Sequence, residues 1–507
     1  METTINAVLF WGLILVLFWL FRPSSRVYKR TIGEWSSGTW IAVAILLSVI
    51  IAADAKIMAL TPTYNGEDPG HRNQYELITE SFLNGHLYFD YDDIDPKLLE
   101  MENPYSYEDR KAQHVKFHWD HAFYNGKYYM YYGVVPVFLL FMPYRLITGV
   151  SLTTYRATHV FVSVGVIGLF ALFRLLSRKY FRDLPQALYL ILAFTVSLMS
   201  TMYSTARPAL YMTAISAGVC LEVWSLYLFA KAVLDTKNTN RALALAAAGS
   251  LLGALVFGCR PTIGLINLVV LPLLVIFVKN HKVDGKLIVK IALAALPYVI
   301  VAVLLMYYNK ARFDSPFEFG QSYQLTYSDQ SQYADMLSQW NWKKIWDGLY
   351  LMLFGAMKSA EEFPFLSEAG LFVMYPLFFY SFAGLVNEQV RKRIRGSGLA
   401  PWIRTIIASI LLIIVTGVLW TPFMTIRYTE DYCWLLGFLT FMIIGFMYQT
   451  IENKRGFCMR VSYVSLITIG AYVLILISQM WRFMTEEQLE YLLRIVGLLS
   501  LGGGTAG

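Results

Sequence analysis

Long uncharged hydrophobic runs alternate along the chain with short segments of charged and polar residues. Runs such as 41–53, 161–173 and 265–278 carry no charge, and with their flanks they reach the roughly 20 residues that a bilayer-spanning helix needs. The pattern predicts an all-α integral membrane protein with about 12 transmembrane helices. We place these helices at about 5–21, 39–59, 155–176, 184–203, 209–231, 242–259, 262–279, 287–308, 367–386, 402–421, 431–450 and 461–480.

The basic residues orient these helices. They cluster in six segments between hydrophobic runs, for example at 22–30, 174–182 and 391–395, and such clusters are typical of cytoplasmic loops. All six agree with this rule only if the short apolar segment 134–148, which Pro136 and Pro143 interrupt, does not cross the membrane. We therefore predict a juxtamembrane helix at 134–148.

One large polar segment follows the helix at 39–59. Residues 61–133 contain 13 of the 35 carboxylates and five of the seven histidines. The charge rule places this segment on the extracytoplasmic side of the membrane as a first loop, and it makes 309–366 a second extracytoplasmic loop. We expect the transmembrane helices to be a scaffold that holds the acid–base chemistry of the first loop at the membrane surface.

Composition supports a membrane protein, since 57% of the 507 residues are hydrophobic and only 15% are charged, against about 25% charged in soluble domains. The net charge of +7 comes from loop clusters and does not indicate nucleic-acid binding. The four cysteines show no disulfide or zinc-type spacing. The first apolar run, at 7–21, has neither a preceding basic region nor a cleavage site, so we expect a retained helix rather than a signal peptide.

Glu67 and Asp68 are adjacent carboxylates in the turn Asn-Gly-Glu-Asp-Pro, which directly follows the helix at 39–59. A carboxylate held rigidly there and partly shielded from water acquires the raised pKa of a general base. The alternative is a solvated acidic turn that precedes a helix.

Two further clusters in the first loop have the composition of cation sites. The run 89–95 has DxD spacings that suit a divalent cation, although four acids in six residues also form an ordinary solvated loop. In HVKFHWDH, His114, His118 and His121 lie beside Asp120, and a helical conformation would bring the three imidazoles to one face. A divalent cation is therefore possible, but no metal-ligand set is assigned.

Arg207, Arg260 and Arg427 lie at predicted extracytoplasmic helix ends. Arginine can reach the interface there at low cost, whereas three guanidinium groups on one face would form a phosphate-binding cluster. The tyrosine-rich run 124–133, with Tyr128 and Tyr131, fits either an interfacial aromatic belt or a surface on which sugar rings stack.

The motifs NGEDP, YELITESFLNGHLYFD and YNGKYYMYYGVVPVFLLFMPYRLITG occur in this order, followed later by CRPT, NKARFDSPFEFGQSY and IRYTEDY. In this order and topology they resemble the GT-C superfamily of membrane glycosyltransferases. More narrowly, they resemble bacterial members related to the protein O-mannosyltransferase and aminoarabinose-transferase group.

The resemblance implies a sugar donor linked to polyprenyl phosphate, an inverting single displacement and an active site on the extracytoplasmic face of the bacterial cytoplasmic membrane. The general base would be Glu67 or Asp68, with Asp54 as a third candidate. Arg260, Arg427, Arg207, Arg72 and Lys127 would bind the donor phosphate, and Asp120, His118, Tyr128 and Tyr131 would bind substrate. The acceptor would be a cell-wall glycan, a glycolipid or a protein.

The resemblance also divides the chain. It gives an extra N-terminal helix with its cytoplasmic loop (1–38), a GT-C-like catalytic core (39–308), a second extracytoplasmic loop (309–366), C-terminal helices (367–480) and an extracytoplasmic amphipathic tail (481–507). Loop 60–133 and the juxtamembrane helix 134–148 belong to the core. Two other classes stay open: a transporter or flippase of lipid-linked saccharides, and a polymerase or ligase that joins such saccharides.

Overall fold

The computed structural model describes residues 24–60, 73–131, 133–356, 358–359, 366–422, 424–480 and 485–495, with single positions before residue 24. Glu67, Asp68 and Arg72 lie outside these ranges, as does most of the helix expected at 5–21. The expected tail is described only at 485–495, where it contains a helix at Glu486–Ile495.

Nine helices in the described ranges are long and apolar enough to cross a membrane. They are Ser37–Met58, Thr154–Tyr180, Leu210–Leu234, Thr239–Phe257, Pro261–Lys279, Gly285–Phe313, Ala400–Trp420, Ile426–Thr450 and Lys454–Met480. Each coincides with a predicted transmembrane helix. The chain is therefore an all-α, multi-pass membrane protein, as its hydropathy predicts.

Two other predicted transmembrane helices are shorter than expected. Gln186–Ser200 has only 15 residues, all of them buried, and after Thr201 the chain continues as the short helix Met202–Ala206. Pro376–Val386 is also short and begins as a 3-10 helix. The expected juxtamembrane segment forms the helix Val137–Thr148, which is too short to span and has exposed apolar residues such as Phe138 and Ile147.

The remaining elements are short. The helices are Arg26–Lys29, Ile32–Glu34, Gln74–Leu83, Pro96–Glu100, Tyr107–Ala112, Gln321–Tyr323, Gln330–Tyr333, Trp342–Phe354, Leu371–Met374 and Glu388–Gly396. The strands form two antiparallel pairs, Ala122–Tyr124 with Lys127–Tyr129 and Lys358–Ser359 with Leu366–Glu368.

The helix Ile426–Thr450 lies at the centre of the bundle. In its most apolar 18-residue stretch, 83% of the residues are buried, against 17% in the corresponding stretch of Gly285–Phe313. The helix at the periphery is free to expose its apolar surface to lipid, whereas the central one contacts other helices on every side. Polar residues at the start of the central helix are therefore held inside the protein.

The two polar loops pack together at one end of the bundle, called here the loop end. Asn125 and Gly126, both at positive φ, form the tight turn between strands Ala122–Tyr124 and Lys127–Tyr129, as an Asn-Gly pair favours. Gln324 of the second loop bridges to Ala122, and the Leu325 amide donates to the His121 carbonyl at 2.9 Å. The second loop thus extends the hairpin of the first.

Candidate functional site

A cavity of about 290 Å³ lies at the loop end, between the ends of membrane helices and the two polar loops. Three arginines and two aspartates line it, so its wall has an excess of one positive charge. These residues are Arg260, Arg312, Arg427, Asp120 and Asp431. Guanidinium groups beside aromatic rings and partly shielded from water are suited to binding a phosphate.

Arg260 lies at a break between two membrane helices. The helix Thr239–Phe257 ends before it, and Pro261, whose fixed φ suits a first helical position, begins the next one. Arg260 is extended between them, at φ −153°. Its Nε donates to both carboxylate oxygens of the buried Asp431 at 2.8 Å, and Thr262 donates to the same carboxylate at 3.2 Å.

These bonds fix the direction of the Arg260 side chain. Within the described residues, the side-chain hydrogen bonds of Arg260 run through Nε. The two η nitrogens are then available to a ligand in the cavity. The guanidinium carbon also lies 4.9 Å from the ring centroid of Tyr428, a cation–π distance.

Arg427 reaches the cavity from the first turn of the central helix. Its guanidinium carbon lies 4.1 Å from the ring centroid of Tyr211 and 5.5 Å from that of Tyr428. Tyr428 therefore contacts both Arg260 and Arg427. The two arginines predicted from CRPT and IRYTED lie in one cavity although they are far apart in the chain.

Arg312 is a third cavity arginine, which the sequence analysis missed. It is 4% exposed at the end of Gly285–Phe313 and donates to the Met130 carbonyl at 2.6 Å and to Asn309 Oδ1 at 2.9 Å. Its buried Nε has no hydrogen-bond partner among the described residues. The pattern NKARFDSP resembles the solvated end of a helix, so only the fold reveals this arginine as buried.

Asp120 lies on the loop side of the cavity and is 6% exposed. Its backbone has a φ of +60°, a conformation that aspartate tolerates better than most residues. Its amide donates to the Leu325 carbonyl at 3.0 Å, and Gln74 Nε2 donates to its carbonyl at 3.1 Å. Its Oδ1 accepts from Gln324 and, at 3.4 Å, from Tyr131. Both polar loops therefore position this carboxylate.

Gly133 joins the first loop to the arginine-bearing helix break. A Cβ at this position would overlap the carbonyl oxygens of Gly258 and Cys259. Two residues later, the Val135 amide donates to the Gly258 carbonyl at 2.9 Å. This close approach fixes the loop, and with it Asp120 and Tyr131, relative to Arg260.

Five of the other predicted site residues lie outside the cavity lining. Arg207 is exposed and its Nε donates to the Gln479 carbonyl at 3.3 Å. Lys127 lies 4.0 Å over the ring of Tyr88. Asp54 is 1% exposed and accepts from Thr205 at 3.1 Å.

His118 and Tyr128 are buried inside the first loop. The imidazole of His118 stacks on Tyr91 at 4.0 Å and contacts Asp93 at 2.9 Å. The hydroxyl of Tyr128 accepts from the His118 amide, and burial raises the pKa of Tyr128 to about 12. Both residues thus pack the interior of the loop.

In the two segments that have the composition of a cation site, the described side chains do not form a cluster of metal ligands. The segment HVKFHWDH is not helical, and His114 is exposed. In the acidic run, Asp95 accepts from the backbone amides of Lys97 and Lys116, which lower its pKa. Among the described residues, no three His, Cys, Asp or Glu side chains are grouped to hold a metal ion.

No protein-family model and no curated protein sequence matches the chain. Solved structures similar to it include the apo oligosaccharyltransferase of Archaeoglobus fulgidus, with 14% identity and a TM-score of 0.42, covering 88% of this chain and 56% of that one. ArnT from Cupriavidus metallidurans bound to undecaprenyl phosphate is similar at 12% identity and a TM-score of 0.43, covering 91% of this chain and 79% of ArnT.

The Archaeoglobus fulgidus oligosaccharyltransferase AglB in complex with an inhibitory peptide and a dolichol-phosphate is similar at 13% identity and a TM-score of 0.43. That match covers 87% of this chain and 56% of AglB, so the chain spans little more than half the length of the archaeal enzyme.

Proposed function

We propose that the protein is a glycosyltransferase that moves a sugar from a polyprenyl-phosphate donor to an acceptor hydroxyl on the extracytoplasmic side of a bacterial cytoplasmic membrane. The observation that supports this most is the grouping of Arg260, Arg312 and Arg427 in one cavity with Asp120. The arginines are at the ends of membrane helices, where the phosphate of a lipid carrier lies, and the carboxylate belongs to the polar loops.

The reaction is a single displacement with inversion. The acceptor oxygen attacks the anomeric carbon and forms the new glycosidic bond, while the bond from that carbon to the phosphate oxygen breaks. The polyprenyl phosphate leaves with a negative charge that Arg260 and Arg427 stabilise, and Arg312 adds to the positive field. Fixed charges aimed at a developing anion are the largest catalytic contribution available to such a site.

The acceptor proton goes to Glu67 or Asp68, which we keep as the candidate general bases. They lie outside the described residues, in the part of the first polar loop that follows the helix Ser37–Met58. Asp120 accepts a hydrogen bond from an acceptor hydroxyl and orients it. Asp54, which is buried beside Thr205, has a structural role in this mechanism.

The experiment that tests the function uses the purified protein in lipid nanodiscs. Polyprenyl-phosphate hexoses are incubated with it, with and without EDTA, and release or transfer of the sugar is followed by mass spectrometry. The Glu67→Gln and Asp68→Asn variants are measured alongside, with Glu100→Gln, an exposed first-loop carboxylate, as the control. Turnover that one of the two variants abolishes, and the control does not, supports the proposal and names the base.

The same experiment separates the other classes. Donor binding without any turnover, together with movement of the lipid between leaflets, would favour a flippase. Joining of donor saccharides to each other would favour a polymerase or ligase. Loss of turnover in EDTA would assign a divalent cation to the reaction, and unchanged turnover in both Glu67→Gln and Asp68→Asn would contradict the assigned base.

A further inference from the structure

A ladder of aromatic side chains leads out of the cavity beside Asp120. Trp119 and Tyr327 have ring centroids 4.2 Å apart, and Tyr327 and Tyr107 have centroids 4.9 Å apart. Trp119 and Tyr327 also line the cavity, and Tyr327 is 67% exposed. The ladder therefore runs from the carboxylate that orients the acceptor to the surface of the polar loops.

The base of the ladder is rigid because Arg110 is buried beneath it. Its guanidinium donates to the Pro104 carbonyl in the first loop and, at 2.6 Å, to the Thr326 carbonyl in the second. The same group lies 4.4 Å over Phe117 and 6.0 Å from Tyr107. Burial lowers the pKa of Arg110 to about 10, so it keeps its charge at neutral pH.

A second hydrogen bond joins the two polar loops at this place, since Asn103 Nδ2 donates to Asp329 Oδ2 at 3.2 Å. Tyr327 is thus flanked by two ties between the loops, at Thr326 and at Asp329. An exposed ring held in this way loses little conformational freedom when a ligand stacks on it, which favours binding. The two ties therefore hold the ladder in one conformation before a ligand binds.

The groups around the ladder indicate the chemistry of its ligand. The cavity wall between Asp120 and Tyr327 presents uncharged amides and hydroxyls, namely Gln324, Thr326, Ser328 and Gln330. The ionisable groups next to Tyr107 and Tyr327 in the chain carry both signs: Glu108, Asp109 and Asp329 are acidic, and Arg110 and Lys111 are basic. Aromatic faces with amides and hydroxyls suit pyranose rings, and charges of both signs beside the ladder do not select for a polyanion.

We infer that the Trp119–Tyr327–Tyr107 ladder is an acceptor subsite for a neutral oligosaccharide chain. The terminal sugar of this chain enters the cavity and presents its hydroxyl to Asp120, while the preceding sugars stack on Tyr327 and Tyr107. The inference rests on the proposed function and names its acceptor class. A glycan acceptor then excludes a peptide as the main substrate.

The test measures the binding of four kinds of probe to the full-length protein in nanodiscs. The probes are neutral hexose hexasaccharides in gluco, manno and galacto configurations, a hexagalacturonate, an uncharged hexapeptide and polyprenyl phosphate. The variants are Tyr327→Ala and Tyr327→Phe. Tyr350→Ala is the matched control, because Tyr350 is 59% exposed on Trp342–Phe354, outside the cavity lining.

We expect one neutral hexasaccharide to bind, and its Kd to rise about tenfold in Tyr327→Ala, as loss of an aromatic stacking partner predicts. Tyr327→Phe and Tyr350→Ala should leave the Kd unchanged, and polyprenyl phosphate should bind equally to all variants. Preference for hexagalacturonate or the peptide, or an unchanged Kd in Tyr327→Ala, would overturn the inference.

The polyprenyl-phosphate arm separates this inference from the proposed function. Binding of polyprenyl phosphate without binding of any neutral hexasaccharide would overturn the acceptor subsite and leave the donor site standing. Failure of both probes to bind would contradict the proposed function and the acceptor subsite together.

Discussion

Arg260 donates from Nε to both oxygens of Asp431, so that a carboxylate that is 2% exposed fixes a cavity arginine through one edge of its guanidinium. The pair joins the helix break at Pro261 to the central helix Ile426–Thr450. A lysine at position 260 would keep the positive charge but would lose the planar geometry that allows one edge to face Asp431 and the other to face a ligand.

We therefore expect Arg260→Lys to fold and to bind polyprenyl phosphate at least about tenfold more weakly, the range for losing hydrogen bonds to a charged group. Isothermal titration in nanodiscs measures the affinity. Arg207→Lys makes the same exchange at an exposed arginine outside the cavity, and its affinity should match the wild type. Equal losses in both variants would contradict a specific role for Arg260.

Removal of Arg260 altogether should mainly affect stability. Arg260→Ala leaves Asp431 buried without its charged partner, and such a change typically costs roughly 3–5 kcal/mol. The double variant Arg260→Ala/Asp431→Asn should recover much of the loss because it removes the isolated charge. Thermal unfolding in detergent measures the stability of both variants. A double variant less stable than Arg260→Ala would show that the isolated charge of Asp431 does not account for the loss of stability.

Asp120 tests the role of backbone conformation at the site. Asp120→Asn retains a side chain that tolerates a positive φ, whereas Asp120→Ala must hold the φ of +60° without that advantage. We expect Asp120→Asn to fold like the wild type and to raise the acceptor KM, and Asp120→Ala to be less stable by about 1 kcal/mol. Steady-state kinetics and thermal unfolding measure the two effects. An unchanged acceptor KM in Asp120→Asn would remove this residue from acceptor binding.

Hydropathy and charge are sufficient to predict the helices, because the bilayer imposes one length and one polarity on every transmembrane segment. They do not predict that the helix Gln186–Ser200 ends after only 15 residues, since its burial on all sides by other helices depends on tertiary packing. The hairpin at 122–129 has a local signal, the Asn-Gly pair flanked by aromatic residues. The sequence analysis interpreted that region as an aromatic belt or a sugar-stacking surface and did not predict the hairpin.

Some of the residues that line the candidate cavity could be anticipated from the sequence. Arg260, Arg427, Asp120 and Tyr131 lie together in the cavity, and the two arginines stand out in the sequence because each directly follows a long uncharged segment. Gln324 and Arg312 carry no such signal: a neutral amide in a loop and an arginine near a helix terminus are ordinary there. Their burial depends on how the second loop packs on the first, which periodicity does not report.

Gly133 tests whether the first loop must approach the helix break closely. In Gly133→Ala the new methyl group overlaps the carbonyl oxygens of Gly258 and Cys259, and forcing such backbones apart typically costs about 1–3 kcal/mol. We expect a lower melting temperature and loss of transfer activity. Gly285→Ala is the control, because a Cβ there has no atom within 4 Å, and it should melt like the wild type.

Gln324→Glu tests the bond between the second loop and the carboxylate that orients the acceptor. Gln324 Nε2 donates to Asp120 Oδ1, so a glutamate there replaces a donor with a second carboxylate beside the first. Two adjacent carboxylates do not both ionise readily, and the shared proton is retained to higher pH. We expect the acid limb of the acceptor kcat/KM profile to move to higher pH and the plateau to fall. Gln332→Glu introduces the same charge at an exposed position of the same loop and should leave the profile in place. If both variants moved it equally, the general field of the loop, and not contact with Asp120, would govern acceptor binding.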